Sequence, residues 1–169
     1  MHRMLLPALI LVSLAAPASA ASGLAGSFAY DAAASDDVEK AIVKAIEPMN
    51  FVVKAIAKGR LEKVNQPYKH VVINTDGGKL TITTDDRAPI AVANGGSIKW
   101  TRPEDGEKLD VSMKLAGSTL TESFGSPDGK RVNVFEPSAD GKKLTMAVTV
   151  SSAKLPKPLT YKIVYKRDK

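Results

Sequence analysis

"SPDGKRVNVFEPSADGKKLTM" (Ser126–Met146) holds two Asp-Gly units, each followed by a basic residue and an alternating apolar run. Two more stand upstream, Asp76-Gly77 in "NTDGGKLTI" and Asp105-Gly106 in "PEDGEKLDV". Such units are either cation-binding loops or hairpin turns, and counting ligands decides between them. "NTDG" comes nearest to a calcium loop, but Val72 stands where the first ligand belongs and Thr83 where the bidentate Glu belongs. The units "PEDG", "SPDG" and "SADG" lack alternating acidic ligands altogether. The chain has no Cys, and beyond its first residues His70 is its one His, so a zinc or copper site built from several such ligands within one chain is excluded. No metal and no cofactor is expected. The turn reading remains, in which Asp-Gly supplies the positive-φ residues of tight hairpins.

Working outward from these turns, the apolar period is two almost everywhere after Gly59. Val71 and Ile73, Leu80 and Ile82, Ile90 and Val92, and Ile98 and Trp100 each alternate with polar neighbours. Leu109 to Leu115, "STLTESF", Val132 and Val134, Leu144 to Val150, and Tyr161 to Tyr165 continue the pattern. Turn residues separate nearly every pair. The pattern predicts nine strands after the helices described next and one short strand before them, in "LAGSFAY". The expected fold is mainly β: an antiparallel up-and-down meander curled into a barrel of about ten strands.

Between the first strand and the meander the period changes to that of a helix. Val38, Ala41, Ile42, Ala45, Ile46 and Met49 share one face, and Asp36 with Glu39 resembles a capping box. Pro48 breaks or bends the helix. A second stretch places Met49, Val52, Val53 and Ile56 on one face and is expected to end at Gly59. Lys40, Lys44, Lys54 and Lys58 fall away from these apolar faces. The two short helices form a lid, about 36–58, that closes one end of the barrel, with the meander at about 69–167.

Residues 1–20, "MHRMLLPALILVSLAAPASA", read as a secretory signal peptide: Arg3, an apolar run too short for a comfortable membrane span, and a small-x-small site at Ala18-Ser19-Ala20. Residues 21–169 then form a single β-barrel domain, periplasmic or secreted, held without disulfides by its hydrophobic core. The net charge of +6 comes mostly from scattered Lys, and aromatics are 5%. Nucleic acid is not an expected partner.

The order of one short strand, two short helices and nine antiparallel strands resembles the fatty-acid-binding proteins of the lipocalin-like (calycin) group. "NQPYKHVVINTDGGKLTITT" looks like that family's second and third strands, and "YKIVYKR" like its last. The resemblance implies a ligand cavity in the barrel and a portal at the helices. It also implies an Arg-x-Tyr pair on the last strand to hold a carboxylate. Tyr165 keeps the Tyr, but Ile163 stands in the Arg position.

No Gly-x-Ser-x-Gly elbow, phosphate loop or His-centred triad is present, and an enzyme is not expected. The expected function is binding of a small apolar or amphipathic ligand in the barrel. The alternative is a protein-interaction or envelope-structural β module without a cavity, and carboxylate chemistry at a barrel mouth is a third reading. Candidate ligand-binding residues are Trp100 with Arg102, Arg131 with Phe135, and Tyr161 with Tyr165, each pair sharing a strand face. Arg is seldom buried unpaired, which favours Val132 and Val134 as the inward side of their strand. If Arg131, Asn133 and Phe135 point inward instead, Arg131 becomes a cation for an anionic ligand. A transient contact of the helices with an anionic membrane surface is also expected from their lysines.

Overall fold

The computed structural model describes residues 23–168; the segment read as a signal peptide lies outside the described residues. Ten strands form one antiparallel sheet: β1 (Gly26–Tyr30), β2 (His70–Asp76), β3 (Lys79–Thr84), β4 (Ile90–Ala93), β5 (Ser97–Thr101), β6 (Lys108–Ala116), β7 (Thr119–Ser126), β8 (Gly129–Pro137), β9 (Lys143–Ser151) and β10 (Leu159–Arg167). Their order is β4-β3-β2-β1-β10-β9-β8-β7-β6-β5. The first strand therefore pairs with the last, and the sheet curls into a nearly closed barrel whose one seam lies between β4 and β5. At one end of the seam Gly95 donates to the Met113 carbonyl (2.8 Å) and Leu115 N–H donates to Asn94 Oδ1 (2.9 Å). At the other end Arg87 and Glu104 form an ion pair between the β3–β4 and β5–β6 turns.

All four Asp-Gly units lie at turns between strands. Gly77, Gly106 and Gly141 have positive φ, at 57°, 73° and 67°. Gly129 has a different reason to be Gly: a Cβ there would stand 2.5 Å from the Ser151 carbonyl oxygen of the neighbouring strand. Close approach of two backbones, not a left-handed conformation, fixes that residue.

Two helices follow β1, α1 (Val38–Ile46) and α2 (Phe51–Val64). Asp37 rather than Asp36 caps α1, accepting from Lys40 N–H at 3.0 Å. Asp36 instead accepts from Lys162 N–H (2.7 Å) and ties the start of α1 to β10. Ile42, Ala45 and Ile46 are buried over the barrel, as the helical period predicts, and the chain breaks around Pro48.

The second helix departs from expectation in two ways. It runs through Gly59 to Val64, and Asn65 is its C-cap. Its expected apolar face is turned outward: Val52 is 66% exposed, Val53 46% and Ile56 55%. Asn50 starts the helix, accepting from Val53 N–H (3.0 Å), and this phase turns Ala57 and Leu61 toward the core instead. None of its residues is buried.

The main core runs from the end of the barrel away from the helices up to α1, whose Ile42, Ala45 and Ile46 belong to it. Leu24, Phe28, Ile73, Leu80, Met113, Leu120, Phe135, Leu144, Met146, Ile163 and Tyr165 are all 2% exposed or less. Leu109, Val111 and Phe124 form a smaller cluster beneath the seam with Ile90, Ile98 and Trp100 packed against it.

Candidate functional site

Strand pairing settles which side of β8 looks inward. Arg131 lies opposite Phe124 and Val150, Asn133 opposite Glu122 and Val148, and Phe135 opposite Leu120 and Met146. Asn133 is 0% exposed and Phe135 1%. The expectation that Val132 and Val134 face the core is overturned. Arg131 is tolerated inside because its Nε and Nη1 donors have partners. Nε donates to Asn133 Oδ1 (2.9 Å), and Nη1 donates to the Val64 carbonyl (3.0 Å) and to Asn65 Oδ1 (3.2 Å).

These contacts belong to a polar layer between the apolar core and the C-terminal end of α2. Asn133 Nδ2 donates to Glu122 Oε2 (2.8 Å), and the Tyr161 hydroxyl donates to Asn65 Oδ1 (3.0 Å). Glu122 is 3% exposed. Burial pushes its carboxyl up to about 7, against the Asn133 hydrogen bond and the Arg131 charge, which both lower it. Tyr165 is 0% exposed, and its hydroxyl has no partner among the described residues. Burial raises its pKa far above that of a free phenol.

A cavity of about 210 Å³ opens above this layer at the mouth. Its wall includes Val64, Tyr68, Arg87, Trp100, Arg102 and Arg131. Trp100 closes one side, packed at a tilt on Phe124 with ring centroids 5.6 Å apart. The carboxylates on the two turns at the mouth, β5–β6 and β7–β8, are paired with cations. Arg87 pairs with Glu104 and lies over the Tyr68 ring, 5.1 Å from its centroid. Arg102 pairs with Asp105 at 2.8 and 2.7 Å and with Glu107, and it holds the Asp105 carboxyl down to about 2. Lys154 pairs with Asp128 at 2.7 Å. Of the arginines on the wall, Arg131 has only neutral partners among the described residues.

The six residues singled out from the sequence are thus distributed at three depths. Trp100, Arg102 and Arg131 line the cavity, while Tyr161 and Tyr165 stand in or below the polar layer. Phe135 lies in the packed core. Glu122 and Asn65 are not among the residues named from the sequence, and Asn133 is named there only as sharing a face with Arg131. Glu122 carries a signal in the sequence, being a polar residue at an apolar position of a period-two pattern, between Leu120 and Phe124; Asn133 carries none, because the apolar residues flanking it are Val132 and Val134. Asn65, just before Gln66-Pro67, carries a helix-end signal of its own.

No protein-family model matches the chain, and no curated protein sequence does. Solved structures do. The fatty acid binding protein of Schistosoma mansoni, in complex with arachidonic acid, aligns over 89% of this chain and 100% of its own, with a TM-score of 0.58 and 20% identity. The fold is that of the fatty-acid-binding proteins. The zebrafish ileal bile acid-binding protein complexed with cholic acid has the same fold-type barrel, with a TM-score of 0.54 and 18% identity over 86% of this chain and 99% of that one. A secretory abundant heat soluble protein from Ramazzottius varieornatus gives 0.61 at 11% identity over 86% and 96%. In this fatty-acid-binding-protein fold the helices stand over one end of the barrel. That is where the cavity, Arg131 and the polar layer are found here.

Proposed function

We propose that this chain is an exported, lipocalin-like protein that binds a small amphipathic anion at the mouth of its barrel and is not an enzyme. Arg131 carries the reading. It is an inward-facing cation at a cavity wall, its partners are neutral, and the unpartnered Tyr165 hydroxyl is buried beneath it. Trp100 and Phe124 supply an apolar wall for the rest of the ligand. The cavity is smaller than the roughly 300–1,000 Å³ of common ligand sites, which selects a small molecule unless the helices move. The fatty acid and bile acid named with two of the matched barrels are amphipathic anions of this chemical kind.

Calorimetric titration with octanoate and with 1-octanol tests it. The wild-type protein is expected to prefer octanoate. Arg131→Met is expected to weaken octanoate about tenfold or more, a charged hydrogen-bond partner being worth roughly 1.5–3 kcal/mol, and to change octanol little. Equal loss for both ligands, or no binding by the wild-type protein, contradicts the reading.

A second reading, contact with an anionic membrane surface, rests on the outward side of the helices. Phe51 is 86% exposed, Val52 66%, Ile56 55% and Val43 47%, and in the groove beside Val43 Lys40, Lys44 and Lys54 stand among Asp37, Glu39 and Glu47, so the apolar side carries this reading. At low salt the protein is expected to float with phosphatidylglycerol vesicles, and Phe51→Asp to remain in solution. Phe51 is remote from the cavity wall, so octanoate binding is expected to survive that substitution. Flotation undiminished by Phe51→Asp removes this second reading.

A further inference from the structure

The second helix is held in an unusual way. It has no buried residue, rests on α1, and touches the strands little except at its C-terminal end. Lys58 links it to α1 through Glu39 (2.8 Å), and Ala57 and Leu61 make partial apolar contact. Its firm attachment to the barrel is polar. Asn65, 1% exposed, caps the helix by donating N–H (3.0 Å) and Nδ2 (2.8 Å) to the Leu61 carbonyl. Its Oδ1 faces Arg131 and Tyr161, and the preceding carbonyl, Val64, faces Arg131.

The last carbonyls of a helix lack intrahelical partners and together carry roughly half a negative charge. The end of α2 therefore presents to Arg131 what an anionic head group would present: oxygen acceptors with negative potential. Val64 and Arg131 also line the same cavity, so a ligand reaching Arg131 arrives beside this contact. A carboxylate binds a guanidinium best through two adjacent N–H groups; Nη2 has no partner among the described residues, but the Nη1 that would complete the end-on pair already donates to the Val64 and Asn65 oxygens, so the two acceptors compete for it.

We propose that the last turn of α2 is a latch that an anionic ligand displaces: the head group and the Val64–Asn65 oxygens compete for Arg131, so that binding frees the end of α2 and opens the mouth. The inference rests on the ligand-binding reading above and adds its mechanism of entry. Tyr161, released from Asn65, then shares the head group with Arg131, and Tyr165 lies below with a free hydroxyl. Because α2 has no buried apolar anchor, exchanging these few polar contacts is enough to loosen it.

Amide hydrogen exchange over residues 61–66 and octanoate calorimetry on the full chain test the latch together. Octanoate is expected to speed exchange in this segment of the wild-type protein severalfold, and 1-octanol to leave it unchanged. Asn65→Ala removes a competing acceptor, so octanoate is expected to bind about three- to tenfold more tightly and exchange to be fast before ligand is added. Tyr161→Phe, the milder variant should Asn65→Ala fold poorly, is expected to speed ligand-free exchange at 61–66 in the same direction. If octanoate binds through Arg131 but slows or does not alter exchange there, or if Asn65→Ala weakens binding, the latch is wrong and the binding reading stands. If octanoate binds neither the wild-type protein nor Asn65→Ala, both fall.

Discussion

Replacing Glu122 with Gln is expected to stabilise the protein by on the order of 3 kcal/mol at mildly alkaline pH and to leave its stability unchanged in acid. The carboxyl titrates at about 7 in the folded protein and near its ordinary 4.5 in the unfolded chain. Below 4.5 both states hold the proton, so the group does not discriminate between them. Between 4.5 and 7 the unfolded chain releases its proton while the folded protein keeps it, and stability falls as pH rises through that window. Above 7 the loss is complete. Gln has nearly the same shape and still offers an oxygen to Asn133 Nδ2, so the hydrogen bond survives while the titration disappears. Urea unfolding of both proteins across this range gives the difference directly. A constant difference between them at every pH would sink the prediction. Around Glu122 stand Asn133 and Arg131 on β8 and, across a small void, Tyr68, Thr84 and Arg87. Once ionised, Glu122 draws on the charge of Arg131 through Asn133. Octanoate binding by the wild-type protein is therefore expected to weaken above neutral pH, and binding by Glu122→Gln to hold.

The barrel was legible because its signal is periodic and repeated. A strand with one apolar side needs a neighbour to cover it, and nine such runs joined by turn residues leave few arrangements besides a curled meander. First-helix burial followed from the same logic, since Ile42, Ala45 and Ile46 sit on one stripe. The interior of β8 was not legible. "KRVNVFE" has apolar residues on both sides, and local composition favours the valines as core. What places Arg131 inside is its set of partners: the Val64 carbonyl at the end of α2, Asn65 66 residues upstream, and Asn133, which is itself held by Glu122 on the adjacent strand. No periodicity within β8 encodes them. The outward side of α2 was misread for a related reason. An amphipathic pattern shows that one side of a helix is apolar, but not that the barrel has room for it. α1 already covers the barrel, and Phe51, Val52 and Ile56 are left in solvent. Phe135 shows the converse. Its place on the inward face could be entertained from spacing, but its depth depends on packing against Leu120 and Met146 from two other strands.

Arg167→Ala is expected to lower stability by about 2–4 kcal/mol, well beyond the cost of Arg131→Met. Both arginines bind backbone carbonyls at an end of the barrel, but their settings differ. At the closed end Arg167 donates Nε to Gly141 (2.6 Å), Nη1 to Ala25 (2.9 Å) and Nη2 to Gly23 (2.7 Å), and its guanidinium lies 4.5 Å from the Phe28 ring centroid. It thereby fastens the segment before β1 to the β8–β9 turn. Gly26 leaves it room: a Cβ there would meet Nη1 at 2.0 Å. Removing the side chain leaves partly buried carbonyls without partners and uncovers Phe28 in the main core, so the whole barrel loses support. At the mouth, the carbonyl released by Arg131→Met belongs to a helix end that can move toward water, and the cost is largely relieved by that movement. Arg167→Lys is expected to recover less than half of the loss, because an ammonium is a single point and cannot span three carbonyls as the planar fork does. Urea unfolding of the Arg167 and Arg131 variants side by side checks the contrast. Equal losses would mean that the end of α2 is as firmly built into the barrel as the closed end, which is incompatible with a displaceable latch.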